Sequence, residues 1–213
     1  MEKLKVIVKA KSTDAGHDFS HTERVHKMAV LIAEDEIKRG NNVDMQIVKA
    51  VALLHDYARH KEDIEKGICH AEQGAKDAPE VLRSLGFPEE KIKEVCYAIS
   101  VHRYSKGLKA ETIYAQILQD ADRLDALGTM AISRIIYRAG AKGKVLHDPD
   151  IKPTGEYSVK VRGSTAMNHF YDKILNIKPE SFHTKCAQER ARSRYEYVKN
   201  FVEQFENEWH GRD

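Results

Sequence analysis

The residues of this chain that could do chemistry are histidines and aspartates placed near the ends of apolar helical stretches. His55 and Asp56 follow the apolar stripe of VKAVALL, where the helical period calls for another apolar side chain. A neutral imidazole beside a carboxylate is a good pair of ligands for a divalent cation, and it is costly to bury without one. The pair therefore indicates a metal site, with an ordinary core histidine as the alternative for His55 taken alone.

Three further histidines border the core-facing stripes of other predicted helices. His21 lies four residues before Val25, on the same face of its helix, and His102 continues the stripe of the helix that follows Pro88. His70 flanks a face of small residues at the start of a third helix. The pattern predicts that side chains from separate helices meet, which is how helical bundles build metal sites.

Three carboxylates, Asp120, Asp122 and Asp125, crowd the otherwise apolar stretch QDADRLDAL. Burying them requires something cationic nearby. The helical period does not choose among them, because Asp120 lies on the apolar stripe and Asp122 shares a neighbouring face with Asp125. Imidazoles combined with two carboxylates suit a divalent Mn, Fe, Co, Ni or Zn ion, and Mg is also acceptable. Four protein ligands leave about two positions for water or substrate.

The elements that must position these side chains are helices. We expect an all-α, compact single-domain bundle over residues 1–213, with C-terminal helices at about 164–210. Residues 140–163 contain four glycines and two prolines without sustained periodicity, which predicts a loop or short flap suited to covering a ligand. A short hairpin at Tyr157–Val161 is the one strand pattern expected after residue 13.

Composition restricts the class of protein. Hydrophobic residues make up 41% of the chain and charged residues 32%, which is typical of a globular protein. A net charge of +2 does not favour a nucleic-acid partner. The three cysteines are widely spaced and indicate reduced thiols. The charged N-terminal segment is unlike a signal peptide and no apolar run is long enough for a membrane span, so we expect a cytoplasmic protein without a membrane partner.

The order of the motifs resembles the HD superfamily of metal-dependent phosphohydrolases. HTERV at His21, HD at His55–Asp56 and ADRL at Asp122 carry the resemblance over about residues 16–127. The later segment MNHFYDKIL and the helix after it resemble the C-terminal part of small stand-alone members. The resemblance implies four metal ligands: His21, His55, Asp56 and Asp122, the last because the family's final ligand directly precedes Arg-Leu. No GYP-type signature follows the doublet, which disfavours the cyclic-dinucleotide branch.

The resemblance also implies a reaction, in which metal-activated water attacks the phosphorus of a nucleotide or a related phosphate ester. His102 and His70 fall between the doublet and the final aspartate, and we expect them to orient phosphate, to donate a proton or to bind a second ion. The cations expected to contact the substrate phosphate are Arg24, Arg59, Arg103 and Lys173.

Several alternatives stay open. The same site would suit a non-catalytic metal- or nucleotide-binding regulatory protein, and the family also includes di-iron oxygenases. A helical nucleic-acid-binding module is a further alternative, suggested by Arg190, Arg192 and Arg194. Basic residues that alternate with glutamates are, however, typical of a solvated helix face. The sequence does not choose the metal, the substrate or whether the chain forms a homodimer.

Overall fold

The computed structural model describes residues 1–12, 19–63, 65–155 and 165–212. Over these ranges the regular structure is helical, with one isolated antiparallel bridge between Asp63 and Ile68. The predicted all-α class is confirmed. The chain divides into two compact units, Met1–Asp122 and Arg123–Asp213, and its behaviour as a single domain stays a prediction.

The first unit contains five helices and most of a sixth, as far as the structure describes it. They are α1 (Glu2–Lys9), α2 (Phe19–Lys38), α3 (Met45–Leu54), α4 (His70–Ser84), α5 (Glu89–Val101) and α6 (Ile113–Asp125), with short 3₁₀ turns at Arg59–Lys61 and Tyr104–Lys106.

Helix α3 is a buried helix that packs against α1, α2 and α5. It begins at Asp44, whose carboxylate accepts a hydrogen bond from the backbone N–H of Gln46 at 2.7 Å, as an N-cap residue does. From Ile47 onwards its side chains are buried except that of Lys49. Burying a large aliphatic side chain contributes about 1.5–3 kcal/mol to the stability of the fold. The packing of α3 therefore fixes the position of His55, the residue that directly follows it.

Helices α4 and α5 pack closely because α4 presents small residues. A Cβ atom added at Gly74 would lie 3.4 Å from Cγ2 of Ile99 on α5 and 3.8 Å from the carbonyl oxygen of His55. Ala71 and Ala78 are fully buried on the same side of α4. The small-residue face therefore brings the start of α4, with His70, close to the ends of α3 and α5.

The second unit contains α7 (Thr129–Ala141), α8 (Ala166–Asp172) and α9 (Lys185–Trp209) within the described residues, with 3₁₀ turns at Ile174–Asn176 and Pro179–Ser181. Helix α7 packs against α8 and α9. Thr165 and Thr184 cap α8 and α9 by accepting hydrogen bonds from backbone N–H groups at 3.0 and 3.4 Å.

The expected flap is described in part. Residues 142–155 form turns and irregular chain without helix or strand, and the hairpin predicted at 157–161 lies outside the described residues. None of the described helices combines the length and the apolar character needed to cross a membrane.

Candidate metal centre

Six side chains of the first unit converge at the ends of its helices: His21, His55, Asp56, His70, His102 and Asp122. The four histidines expected to face the core are buried, each at most 2% exposed. His21 lies in the first turn of α2, and His70 is the first residue of α4. The structure thus brings together the residues that the sequence singled out.

His55 and His102 are oriented by the backbone of the helices that they follow. Nδ1 of His55 lies 2.8 Å from the carbonyl oxygen of Ala52, and Nδ1 of His102 lies 2.6 Å from that of Ile99. A carbonyl oxygen only accepts, so Nδ1 carries a hydrogen in each ring, and in the neutral form of either ring Nε2 holds the free lone pair. Both rings therefore present an acceptor to the centre of the cluster.

The first group of ligand atoms surrounds Nε2 of His21. This atom lies 3.3 Å from Nε2 of His55, 3.5 Å from Oδ1 of Asp122 and 3.8 Å from Oδ2 of Asp56. Two ligand atoms that each lie about 2.1 Å from one ion are about 3.0–3.4 Å apart. The spacing is within a few tenths of an ångström of what a shared ion requires. The side chain of Asp122 is 24% exposed, so solvent reaches the group.

A second group shares the carboxylate of Asp56. Its Oδ1 lies 3.1 Å from Nε2 of His70 and 3.7 Å from Nε2 of His102, and the two Nε2 atoms are 3.3 Å apart. Asp56 therefore faces one histidine pair with each carboxylate oxygen. A cation, a proton or a phosphoryl group could be held on this side.

The protonation states of the first group suit a metal. Burial lowers the pKa of His55 to about 4, because desolvation outweighs the attraction of Asp56 and Asp122. Burial alone would raise the pKa of Asp122, but His21, His55 and His102 hold it below its ordinary value. At neutral pH the site thus offers a neutral imidazole and an ionised carboxylate, which are the forms that bind cations.

Glu62 is a site residue that sequence reasoning missed. Its Oε1 lies 2.8 Å from Nδ1 of His70 and 2.7 Å from Nη1 of Arg103. Burial lowers the pKa of His70, but hydrogen bonds with Asp56 and Glu62 raise it to above its ordinary value overall. Burial raises the pKa of Glu62, while the hydrogen bond from His70 and the charges of Arg59 and Arg103 bring it down to about 2. In the sequence Glu62 is one acid in the charged loop KEDIEKG, and no periodicity distinguishes it.

Two of the predicted phosphate-binding cations adjoin the cluster. Nη1 of Arg59 lies 2.9 Å from Nδ1 of His70 and 4.0 Å from Oδ1 of Asp56, with 21% of its side chain exposed. Arg103 donates from Nη1 to Glu62 and from Nε to Oγ of Ser105 at 2.9 Å. Of these two arginines, Arg59 is the one that lies against both a histidine and an aspartate of the cluster.

The other two predicted cations are Arg24 and Lys173. Arg24 follows His21 by about one turn of α2 and donates to Oγ of Ser20 at 3.0 Å. Lys173 directly follows α8 in the second unit. Substrate binding by either residue stays a prediction.

The aspartates of α6 differ in their surroundings. Asp122 lies against His21 as described, while Asp120 is fully buried and Asp125 accepts a hydrogen bond from Arg134 at 2.5 Å. The helical period alone does not distinguish which of the three aspartates is a metal ligand. Proximity to the histidines favours Asp122, as the family motif does.

The donor set fits a divalent metal ion. Nε2 of His21 and Nε2 of His55 lie 3.3 Å apart and 3.5–3.8 Å from carboxylate oxygens of Asp56 and Asp122. A backbone carbonyl group holds the ring of His55 in this orientation. Buried acceptors that face each other repel unless a cation or proton lies between them. Nitrogen and carboxylate ligands together suit Mn, Fe, Co, Ni or Zn.

An all-helical fold with this histidine–aspartate centre defines the class of protein. The HD domain family matches residues 18–127, and the chain belongs to that family. The chain is 30% identical to YpgQ of Bacillus subtilis over 220 residues, which cover all of this chain and 95% of YpgQ. The resemblance that the sequence motifs indicated is confirmed.

Solved structures share the fold. An HD-superfamily hydrolase of Bacillus thuringiensis superposes with a TM-score of 0.74 at 34% identity, covering 98% of this chain and 96% of that one. The crystal structure of B. subtilis YpgQ in complex with ADP gives a TM-score of 0.74 at 29% identity, covering 100% and 99% of the two chains.

Proposed function

We propose that this protein is a metal-dependent phosphohydrolase whose substrate is a nucleotide or a related phosphate ester. The observation that carries the proposal is the convergence of fixed imidazole lone pairs on two carboxylates at a solvent-accessible point. Membership of a family that includes hydrolases supports the reaction class. The ADP complex of YpgQ supports a nucleotide as the ligand.

His21, His55, Asp56 and Asp122 would hold the metal ion. A divalent ion bound there supplies Lewis-acid activation of water and of a phosphoryl oxygen. The backbone hydrogen bond of His55 keeps its Nε2 directed at the site without reorganisation. The exposed part of Asp122 marks the side from which substrate approaches.

His70 and His102 would act on the phosphoryl group beside that ion. His70 lies between two carboxylates, Asp56 at Nε2 and Glu62 at Nδ1, which favours retention of a proton on the ring. A histidine that holds a proton beside the site can donate it to the leaving oxygen. Nε2 of His102 is an acceptor 3.3 Å from Nε2 of His70, so it can align that proton.

Arg59 would bind the substrate phosphate. Its guanidinium is partly exposed and adjoins His70 and Asp56. Arginine pairs with phosphate through charge-assisted hydrogen bonds. The phosphate would then lie between Arg59 and the ion, which places it next to His70.

The proposal is tested with metal-stripped protein to which Mn, Co, Ni, Fe, Zn or Mg is added back. Nucleoside mono-, di- and triphosphates and simple phosphate esters are the substrates, and orthophosphate and pyrophosphate are both measured to identify the phosphorus attacked. We expect metal-dependent release that disappears in His55→Ala and Asp122→Ala. Asp125→Asn, on the same helix as Asp122, is the matched control and should keep metal-dependent release.

Two outcomes would contradict the proposal. If both alanine variants hydrolysed the substrate at the rate of the parent, the proposed metal ligands would not be needed for the reaction. Metal-dependent nucleotide binding without release of either product, over the whole panel, would favour the regulatory alternative.

A further inference from the structure

The carboxylate of Glu62 lies behind His70, on the ring nitrogen that faces away from Asp56. Its Oε1 is 2.8 Å from Nδ1 of His70, whereas Oδ1 of Asp56 is 3.1 Å from Nε2. The Glu62 side chain is 11% exposed, and Arg103 contacts the same Oε1 at 2.7 Å. Glu62 thus contacts the candidate site through His70 and the neighbouring arginines.

A short bridged loop brings Glu62 to this position. The backbone of Asp63 pairs with that of Ile68 in both directions, with N···O distances of 3.2 and 2.7 Å. In an antiparallel pair the residue before one member lies opposite the residue after the other. Glu62 is therefore placed opposite Cys69, directly beside His70 at the start of α4.

The loop is stabilised by its own sequence. Oδ1 of Asp63 accepts hydrogen bonds from the N–H groups of Glu65 and Lys66, both at 3.1 Å, as aspartates in tight turns do. Gly67 has a φ angle of 71°, a left-handed conformation that glycine adopts without strain. The position of Glu62 is therefore determined by hydrogen bonds and backbone conformation within the neighbouring residues 63–68.

The contact with Glu62 requires a hydrogen on Nδ1 of His70. A carboxylate cannot donate, so the 2.8 Å contact is favourable only when Nδ1 is the donor. Nη1 of Arg59 lies 2.9 Å from Nδ1 and 3.1 Å from Nε2, and so does not select one nitrogen. Glu62 fixes the ring with Nδ1–H directed outwards and Nε2 directed at Asp56.

We propose that Glu62 is a positioning residue, which orients His70 for the reaction while Arg103 holds the carboxylate in place. Carboxylates that orient a histidine from its far side serve this purpose in many metal sites. The inference rests on the proposed function in so far as His70 takes part in the reaction. It assigns to Arg103 a role through Glu62 in place of direct contact with phosphate.

Three variants test the inference. Glu62→Gln keeps the shape but removes the charge, Glu62→Asp keeps the charge, and Glu65→Gln changes an exposed acid of the same loop as the control. We expect Glu62→Gln to lower kcat by about 10–100-fold with KM nearly unchanged. Glu62→Asp should recover part of kcat, and Glu65→Gln should match the parent.

A measurement without turnover separates this inference from the proposed function. Nitrogen-15 NMR of the metal-free protein, with His70→Gln to assign the signals, reports which ring nitrogen of His70 is protonated. We expect a protonated Nδ1 in the parent and altered His70 signals in Glu62→Gln. If the parent hydrolyses nothing, the proposed function fails while these spectra still test the orientation of His70.

A double-mutant cycle provides the decisive comparison. If Glu62 acts through His70, Glu62→Gln should cost little further activity in a His70→Gln background. An equal loss in both backgrounds would overturn the inference. Parent-like His70 signals together with parent-like kcat in Glu62→Gln would overturn it as well.

Discussion

The imidazole rings of His55 and His102 meet edge to face, with their centroids 5.4 Å apart and their planes at 88°. Both rings donate from Nδ1 to the carbonyl oxygen three residues earlier in the chain. Their neighbours differ, since Nε2 of His55 lies 3.3 Å from His21 and Nε2 of His102 lies 3.3 Å from His70. The two histidines thus share the same kind of backbone hydrogen bond but belong to different groups of possible metal ligands.

Replacing the two histidines should separate metal binding from catalysis. His55→Gln should lose metal affinity by more than about 100-fold, because it removes a proposed ligand rather than a supporting group. His102→Gln should keep the metal within a few-fold and lower kcat by about 10²–10⁴-fold, the range of a lost proton-transfer contact. Calorimetric metal titration and steady-state kinetics measure both. Equal loss of metal affinity in the two variants would show that His102 is also a ligand.

Metal binding should stabilise the folded protein. An ion that binds only the native state contributes about 2.7 kcal/mol when its concentration is 100 times its Kd. The melting temperature of metal-stripped protein should therefore rise when Mn or Co is added and fall again with chelator. Thermal unfolding of His21→Ala should show no rise. A rise of equal size in His21→Ala would place the stabilising ion at another site.

Arg59 should affect substrate binding more than metal binding. Arg59→Ala removes a guanidinium beside His70 and Asp56, so KM should rise by about 10-fold, as expected for one charge-assisted hydrogen bond. Arg59→Lys should restore part of the affinity, since lysine keeps the charge without the planar fork. Metal affinity measured by calorimetry should stay close to that of the parent in both variants. An unchanged KM in Arg59→Ala would exclude the phosphate contact.

The sequence predicted the buried histidines because helical periodicity continues to the end of an element. The apolar stripe of α5 leads from Ile99 to His102, and that of α2 leads back from Val25 to His21. Burial of these side chains followed from the same stripe. Periodicity could not select Asp122 on α6, because adjacent faces of that helix each carry an acid, and the family motif was needed.

Glu62 lay beyond prediction for a physical reason. Its contact with His70 depends on a bridge of two residues and on the left-handed Gly67, which leave no apolar pattern in the sequence. The hydrogen bonds that fix His55 and His102 were likewise invisible, since they involve backbone carbonyl groups that every residue has. Periodic features were therefore predictable, and single contacts made in loops were not.

The charge on Glu62 should make stability depend on pH at the acid end. Burial would raise its pKa, but the hydrogen bond from His70 and the charges of Arg59 and Arg103 lower it from 4.5 to about 2. A carboxyl group with a lowered folded-state pKa stabilises the fold above its unfolded pKa, and this contribution is lost as the pH falls from 4.5 to about 2. The shift corresponds to at most about 3 kcal/mol.

Urea unfolding of metal-free protein between pH 6 and pH 2 measures this contribution. The free energy of unfolding of the parent should fall more steeply between pH 4.5 and pH 2 than that of Glu62→Gln. Glu65→Gln should follow the parent. If Glu62→Gln lost stability as steeply as the parent over that interval, the carboxylate of Glu62 would not be the group that titrates.

Gly74 should tolerate one methyl group but not a branched side chain. A Cβ atom there would make ordinary contacts of 3.4 Å with Cγ2 of Ile99 and 3.8 Å with the carbonyl oxygen of His55. Gly74→Ala should therefore be neutral or stabilise by up to about 1 kcal/mol, since alanine favours the helix. Gly74→Val should destabilise the protein by about 1–3 kcal/mol, because its additional carbon atoms would force α4 away from α5.

Displacement of α4 would also move His70, so kcat should fall in the valine variant and stay near the parent value in the alanine variant. Urea unfolding and kinetics of the matched pair measure both effects. A valine variant as stable and active as the parent would show that the packing of α4 does not hold the site together.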